Sequence, residues 1–218
     1  MDPQQGALIV EAMNSMRYDA MALGSTELDA PLSTVRARFE DAQFGLLSAN
    51  VKADGALPNV QPYLLTQVDG HTVGIIGVTL ESIERRFQAL NLDLTVEEPI
   101  AAVRQAVDEI RDRADIIILL SNLEQTQARE LARAVPDIDV IIGTYKGYQH
   151  TPVSVPGVEH EVVLHASYVL GEYLGMLQLY FDAQGRVIEF VGQALPLTED
   201  YEDSPQMVEL MQRYAPQQ

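Results

Sequence analysis

Residues 97–143 read EEPIAAVRQAVDEIRDRADIIILLSNLEQTQARELARAVPDIDVIIG, and this stretch decides the fold class. Two segments with helical spacing, the first opened by acids and Pro99, alternate with two continuous apolar runs that are typical of buried strands. The predicted elements are a helix at 97–114, a strand at 116–120, a helix at 124–134 and a strand at 138–143. Such alternation predicts a mixed α/β fold with helices outside a sheet.

The rest of the chain extends this pattern. Upstream, Asp69-Gly70 between two β-type runs predicts a hairpin of Tyr63–Val68 and Thr72–Thr79. The other predicted elements are helices at 6–17, 31–43 and 205–214, and strands at 18–24, 44–51, 161–166, 173–182 and 187–192. With 218 residues, we expect a single domain that ends in an acidic, then helical tail at about 198–218.

Composition excludes several classes of function. The chain has 32 acidic and 14 basic residues, a formal charge of -18, which disfavours binding to nucleic acid or to anionic membranes. It has no cysteine, which excludes thiol catalysis and cysteine-bound zinc. The N-terminal residues do not resemble a signal peptide, and the longest aliphatic run, residues 116–120, is too short to span a membrane.

Three predicted strands end in polar turns, and these turns are where a site is expected. The turns begin at Ser25, Ser121 and Thr144, directly after apolar strand residues. In open α/β sheets, ligands bind beyond the carboxyl ends of the strands. The sequence therefore places the candidate site where these three turns meet.

The order of these segments resembles the metallophosphoesterase (calcineurin-like) domain of the 5′-nucleotidase type. The resemblance is carried by MNSMRYDAMALGSTELD, by FGLLSANV with the following hairpin, by ADIIILLSNLE, by IDVIIGTYKG and by HASYVLGEYLGMLQLYFDAQGRV. It implies a layered αββα sandwich of two mixed sheets flanked by helices. The family's first two motifs, Asp-x-His and Gly-Asp, would precede residue 1, so the resemblance also implies that the first strands of that fold are lacking.

The resemblance implies that the family's metal-binding positions carry other residues here. Ser25 stands at a ligand Asn position, Thr26 at the catalytic His position and Asn122 at a ligand His position. Tyr145 and Gly147 stand at the last two ligand His positions, whereas Glu27 matches a family residue that is not a primary ligand. A two-metal centre needs several anionic or imidazole ligands, which this set does not offer.

From these departures we expect a non-catalytic protein that acts as a binding or structural subunit and uses no cofactor. One alternative is a phosphoesterase that uses manganese or zinc in a remodelled or partner-completed site, and another is a nucleotide or small-ligand binder without turnover. The remnant pocket is predicted at Ser25, Thr26, Glu27, Asn122, Tyr145 and His165. Plainer interpretations are a turn acid for Glu27 and a packed histidine for His165.

The resemblance also leads to expectations about partners and location. Sheet edges left unpaired by lacking strands invite pairing with another chain. We therefore expect a protein partner or a second copy that completes the sheet. A periplasmic or extracellular location is implied by the resemblance alone.

Overall fold

The strands predicted around residues 97–143 assemble into one large sheet in the computed structural model, which describes residues 3–52, 55–92, 94–143, 151–158, 162–166, 172–182 and 186–214. The helices are α1 (Pro3–Ser15), α2 (Leu32–Asp41), α3 (Glu84–Ala89), α4 (Pro99–Ile110), α5 (Gln125–Ala134) and α6 (Pro205–Tyr214). The strands are β1 (Ala20–Ala22), β2 (Gly45–Leu47), β3 (Val51–Lys52), β4 (Val60–Gln61), β5 (Tyr63–Val68), β6 (His71–Val78), β7 (Thr95–Val96), β8 (Ile116–Ser121), β9 (Val140–Gly143), β10 (Val153–Ser154), β11 (Val163–Ala166), β12 (Tyr173–Phe181) and β13 (Val187–Pro196).

The described strands form two main sheets and two small ones. The six-stranded mixed sheet has the order β10-β11-β9-β8-β6-β5, and the three-stranded parallel sheet has the order β1-β2-β4. The strand pairs β3-β7 and β12-β13 are each antiparallel and stand apart from both main sheets. The expected mixed α/β fold with helices flanking sheets is confirmed.

Helices cover the outer face of each main sheet. Helix α4 packs Val103, Ala106 and Ile110 onto the outer face of the six-stranded sheet, and α5 lies beside it. Helices α1 and α2 cover the three-stranded sheet, with Val35 and Phe39 of α2 fully or nearly fully buried. Between the two sheets, Leu47 packs among apolar side chains of the larger sheet. The order of layers is therefore helices, sheet, sheet, helices.

Most predicted elements match the structure within a few residues, but one predicted strand is interrupted and one helix lies outside the predicted set. The predicted strand at residues 44–51 is interrupted at 48–50. In this interval the side chains of Ser48 and Asn50 form hydrogen bonds with Thr79, and the backbone does not continue as a regular strand. Helix α3 was not predicted at all. No helix in the described part of the chain is long and apolar enough to cross a membrane.

Candidate functional site

Two of the three expected turns meet at Gly24, the residue that links β1 to the next turn. A Cβ atom at Gly24 would lie 2.7 Å from Oε2 of Glu27 and 3.5 Å from Nδ2 of Asn122. Asn122 directly follows β8 and is held by its backbone, whose N–H donates to the carbonyl of Val78 at 2.9 Å. The structure therefore brings Glu27 and Asn122 to the same point, the carboxyl ends of β1 and β8, as the strand-end argument predicts.

Glu27 is turned back onto its own loop. Its Oε2 accepts a hydrogen bond from the backbone N–H of Gly24 at 2.9 Å, and its Oε1 accepts one from the Thr26 hydroxyl at 3.1 Å. A short 3₁₀ turn at Thr26–Leu28 begins after Ser25 and makes this reversal possible. The carboxylate thus acts as the acceptor for the loop that carries it, in line with the plainer interpretation of Glu27 as a turn acid.

A buried polar cluster that sequence reasoning missed lies behind this loop. Asn50 accepts from the Thr79 backbone N–H at 2.9 Å and donates to the Thr79 carbonyl at 2.8 Å. The Thr79 hydroxyl donates to the carbonyl of Leu23 at 2.8 Å and lies 2.7 Å from the Ser48 hydroxyl. The cluster joins the ends of β1, β2 and β6, and the sequence signal for it is the pair of polar residues Ser48 and Asn50 just after β2.

His165 is buried away from Glu27 and Asn122. In β11 it pairs with Ile142, which in turn pairs with Leu120 of β8, so His165 lies two strands from β8, about 10 Å across the sheet. Its side chain is 4% exposed, and neither ring nitrogen has a hydrogen-bond partner among the described residues. Burial lowers the pKa of His165 and so favours the neutral imidazole.

The remaining predicted site residues divide into two groups. Ser25 and Thr26 lie in the turn after β1, and Ser25 is half-buried at its start. Tyr145 and Gly147 lie outside the described residues. Among the described residues, the predicted set reduces to one cluster around Gly24 and a separate buried histidine.

Beside this cluster lies a cleft that sequence reasoning missed. Its volume is about 380 Å³, and its described lining consists of Ser25, Ser82, Arg85 and Arg86. Ser82 lies in the turn after β6, and the two arginines belong to α3. Arg86 forms an ion pair with Asp29 at 2.7 Å. The signal in the sequence was the pair of adjacent arginines in a chain with more than twice as many acids as bases.

No protein-family model matches the chain. Human 5′-nucleotidase is 30% identical to it over 224 aligned residues, which cover 92% of this chain and 39% of that protein. The crystal structure of a 5′-nucleotidase precursor from Thermus thermophilus matches with a TM-score of 0.84 at 26% identity, covering 97% of this chain and 45% of that one.

The chain is a relative of the 5′-nucleotidase type of metallophosphoesterase. An uncharacterized metallophosphoesterase, YunD of Bacillus subtilis, is also similar, at 27% identity over 187 residues that cover 84% of this chain and 39% of that protein. This 5′-nucleotidase relative thus spans about two fifths of the length of the curated proteins it matches.

The relationship corrects the expectation that no cofactor is used. The homologous 5′-nucleotidases and metallophosphoesterases depend on divalent metals, and this finding contradicts the expectation. The residues described here do not fit a metal pair by themselves. Within the described ranges, no group of three or more Asp, Glu or His could hold a metal ion. The mapped positions at Ser25, Thr26 and Asn122 offer hydroxyls and a neutral amide instead.

Proposed function

We propose that this chain is a binding or structural subunit of the 5′-nucleotidase type that does not hydrolyse phosphoesters with the residues described here. The observation that supports the proposal is the chemistry at the carboxyl ends of β1 and β8. The carboxylate there, Glu27, accepts hydrogen bonds from Gly24 and Thr26 of its own loop. A two-metal hydrolase requires several such ligands directed at a shared centre.

An assay of phosphate release tests this proposal. The full chain is incubated with adenosine 5′-monophosphate and saturating manganese or zinc, beside the Glu27→Ala variant. We expect both proteins to release phosphate at the rate of the metal alone, because neither has a ligand cage in the described residues. Metal-dependent release by the wild type that Glu27→Ala abolishes overturns the proposal, provided that the melting temperatures of the two proteins agree.

The second candidate is a metal-dependent phosphoesterase whose site is remodelled or completed by another chain. It is favoured by the meeting of Glu27 and Asn122 at Gly24, which keeps one carboxylate and one amide at the site edge expected for the family fold. Under this candidate, the missing ligands come from outside the described residues. Activity that appears only after a partner is added would select it over the first.

We also propose that a polypeptide segment of different sequence covers the part of the inner face of the six-stranded sheet that the three-stranded sheet leaves open beside β1. Ile118, Leu120 and Ile142 line a cleft of about 340 Å³ that opens beside β1, whose second edge has no strand partner among the described residues. An unpaired edge next to apolar side chains is suited to an added strand with alternating apolar residues. Charge disfavours a second copy, because each chain carries a formal charge of -18.

A periplasmic or extracellular location is proposed from the family relationship. Its test is fractionation of cells that make the untagged protein from its natural gene. Recovery in the periplasmic or culture fraction supports an exported protein, and recovery with cytosolic markers contradicts it.

A further inference from the structure

The cleft lined by Ser25, Ser82, Arg85 and Arg86 lies on the side of the molecule where strands of both sheets end. Ser25 follows β1 of the three-stranded sheet, and Ser82 lies in the turn after β6 of the six-stranded sheet. Short helix α3 then carries both arginines to the same cleft. The described lining therefore consists of two hydroxyl groups and two guanidinium groups, with no carboxylate among them.

The two arginines differ in what holds them. Arg86 donates from Nη1 to Asp29 at 2.7 Å, and its Nη2 lies 3.4 Å from the other oxygen of that carboxylate. This pairing fixes the guanidinium of Arg86 and offsets its charge. Arg85 is exposed, and within the described part of the chain it forms no ion pair or hydrogen bond. The positive charge available to a ligand is therefore that of Arg85.

A guanidinium beside hydroxyl donors is the chemistry of an oxyanion site. Arginine presents several N–H donors in a planar fork that matches phosphate oxygens, and a serine hydroxyl can donate one further hydrogen bond. In a chain with a formal charge of -18, an anion meets repulsion over most of the surface. The cleft therefore differs from most of the surface, because it offers an anion the guanidinium of Arg85 and the hydroxyls of two serines.

We propose that this cleft binds the phosphate group of a phosphorylated ligand, with Arg85 as the main contact and Ser25 and Ser82 as hydrogen-bond donors. Its volume of about 380 Å³ leaves room for more than a bare phosphate ion. Arg86 is fixed by its ion pair with Asp29 and forms the wall of the cleft next to Arg85. This inference deepens the proposed function, because it names the class of ligand that a binding subunit of this family would hold.

Calorimetric titration of the full chain in phosphate-free, low-chloride buffer tests the site. The probes are inorganic phosphate, adenosine 5′-monophosphate and adenosine. We expect both phosphorylated probes to bind and adenosine not to bind. Arg85→Gln should weaken binding of both by about tenfold or more, since a hydrogen-bonded charge is lost. The control Arg111→Gln removes the same charge from an exposed arginine at the end of α4, which pairs with Asp108, and should leave affinity unchanged.

The results with the different probes show whether the site takes free phosphate or a phosphorylated ligand. They also test the binding site separately from the proposal that the chain is not catalytic. Equal affinity for inorganic phosphate and the monoester identifies a bare phosphate site, whereas tighter binding of the monoester identifies a site for a phosphorylated ligand. Failure of both to bind, or equal weakening by Arg85→Gln and Arg111→Gln, overturns the site. Phosphate release measured in the same samples with manganese overturns the non-catalytic proposal alone and leaves the binding result to stand by itself.

Discussion

At the scale of single residues, Asn50 holds the loops of the candidate site together from behind. It is fully buried, and its side chain satisfies both the N–H and the carbonyl of Thr79, just after β6. Asn50→Ala leaves these two buried backbone groups without their partner. We expect a loss of about 2–4 kcal/mol in the free energy of unfolding, measured by urea denaturation. Asn14→Ala is the control, because its two backbone hydrogen bonds lie at the surface, where water can replace them. Equal losses in the two variants would contradict this role for Asn50.

We expect His165 to make the stability of the protein depend on pH, because its imidazole is buried. Burial lowers the pKa of His165 in the folded chain below its ordinary value of 6.5, so the unfolded chain binds more protons below that pH. The contribution of the neutral imidazole is therefore fully present above about pH 6.5 and is lost as pH falls toward the folded-state pKa. The slope for one proton cannot exceed about 1.4 kcal/mol per pH unit.

Denaturation curves between pH 5 and pH 7.5 check this expectation. The wild type should lose stability as the pH falls through this window, and His165→Gln should flatten that part of the profile. The exposed His71, in the hairpin, provides the matched control, and His71→Gln should keep the wild-type slope. A profile that His165→Gln leaves unchanged would show that the imidazole is not held neutral by burial.

At the scale of elements, Gly77 allows the two sheets to approach each other. A Cβ at this position in β6 would overlap the backbone carbonyl of Leu47 in β2, and a backbone group cannot rotate away as a side chain can. The Gly77 carbonyl also accepts a hydrogen bond from Ala49 at 2.7 Å. Gly77→Ala should therefore cost about 2–3 kcal/mol or more in the free energy of unfolding, because the sheets must separate.

Gly74 in the same strand offers a matched comparison for this prediction. An added Cβ there would lie 2.6 Å from Cδ1 of Ile110, the flexible end of a side chain on α4. Gly74→Ala should thus be the milder variant of the two in thermal and urea denaturation. The reverse order would mean that the spacing between the sheets is not limited at Gly77.

Elements with a turn or capping signal in the sequence can be predicted from it, whereas elements that depend on contacts between distant residues cannot. Asp69-Gly70 predicts the β5–β6 hairpin. The acids and Pro99 predict a helix from residue 97, and α4 begins at Pro99, where the Glu98 carboxylate accepts from the N–H groups of Ile100 and Ala101. Helix α3 has six residues, too few for a periodic apolar pattern, and its arginines gave no motif. The strand-end rule placed Glu27 near Asn122. The same rule does not predict that the Glu27 carboxylate accepts a hydrogen bond from the Gly24 N–H, because that contact depends on the shape of the turn after β1.

At the scale of the whole molecule, an unusual surface among the described residues is one face of the β12–β13 hairpin. Leu174, Met176, Tyr180 and Val191 share this face by their register, and Val191 is 53% exposed. The opposite face packs against the chain, with Pro152 next to Gly192. An exposed apolar face of a two-stranded ribbon favours association, whereas the charge of -18 opposes association between copies.

Light scattering at low and high ionic strength tests whether charge keeps this face free. At about 50 mM salt, we expect a monomer, since the Debye length is then longer than 10 Å and two chains of the same charge repel each other. At about 1 M salt, screening should permit association through the hairpin. Val191→Lys should prevent that association while changing the free energy of unfolding by no more than about 0.5 kcal/mol. Met211→Lys, at a 63% exposed residue of α6, should leave the association at high salt unchanged. A stable dimer at low salt that Val191→Lys dissociates would instead identify a second copy as the partner, because the apolar contact would then outweigh the repulsion between the chains.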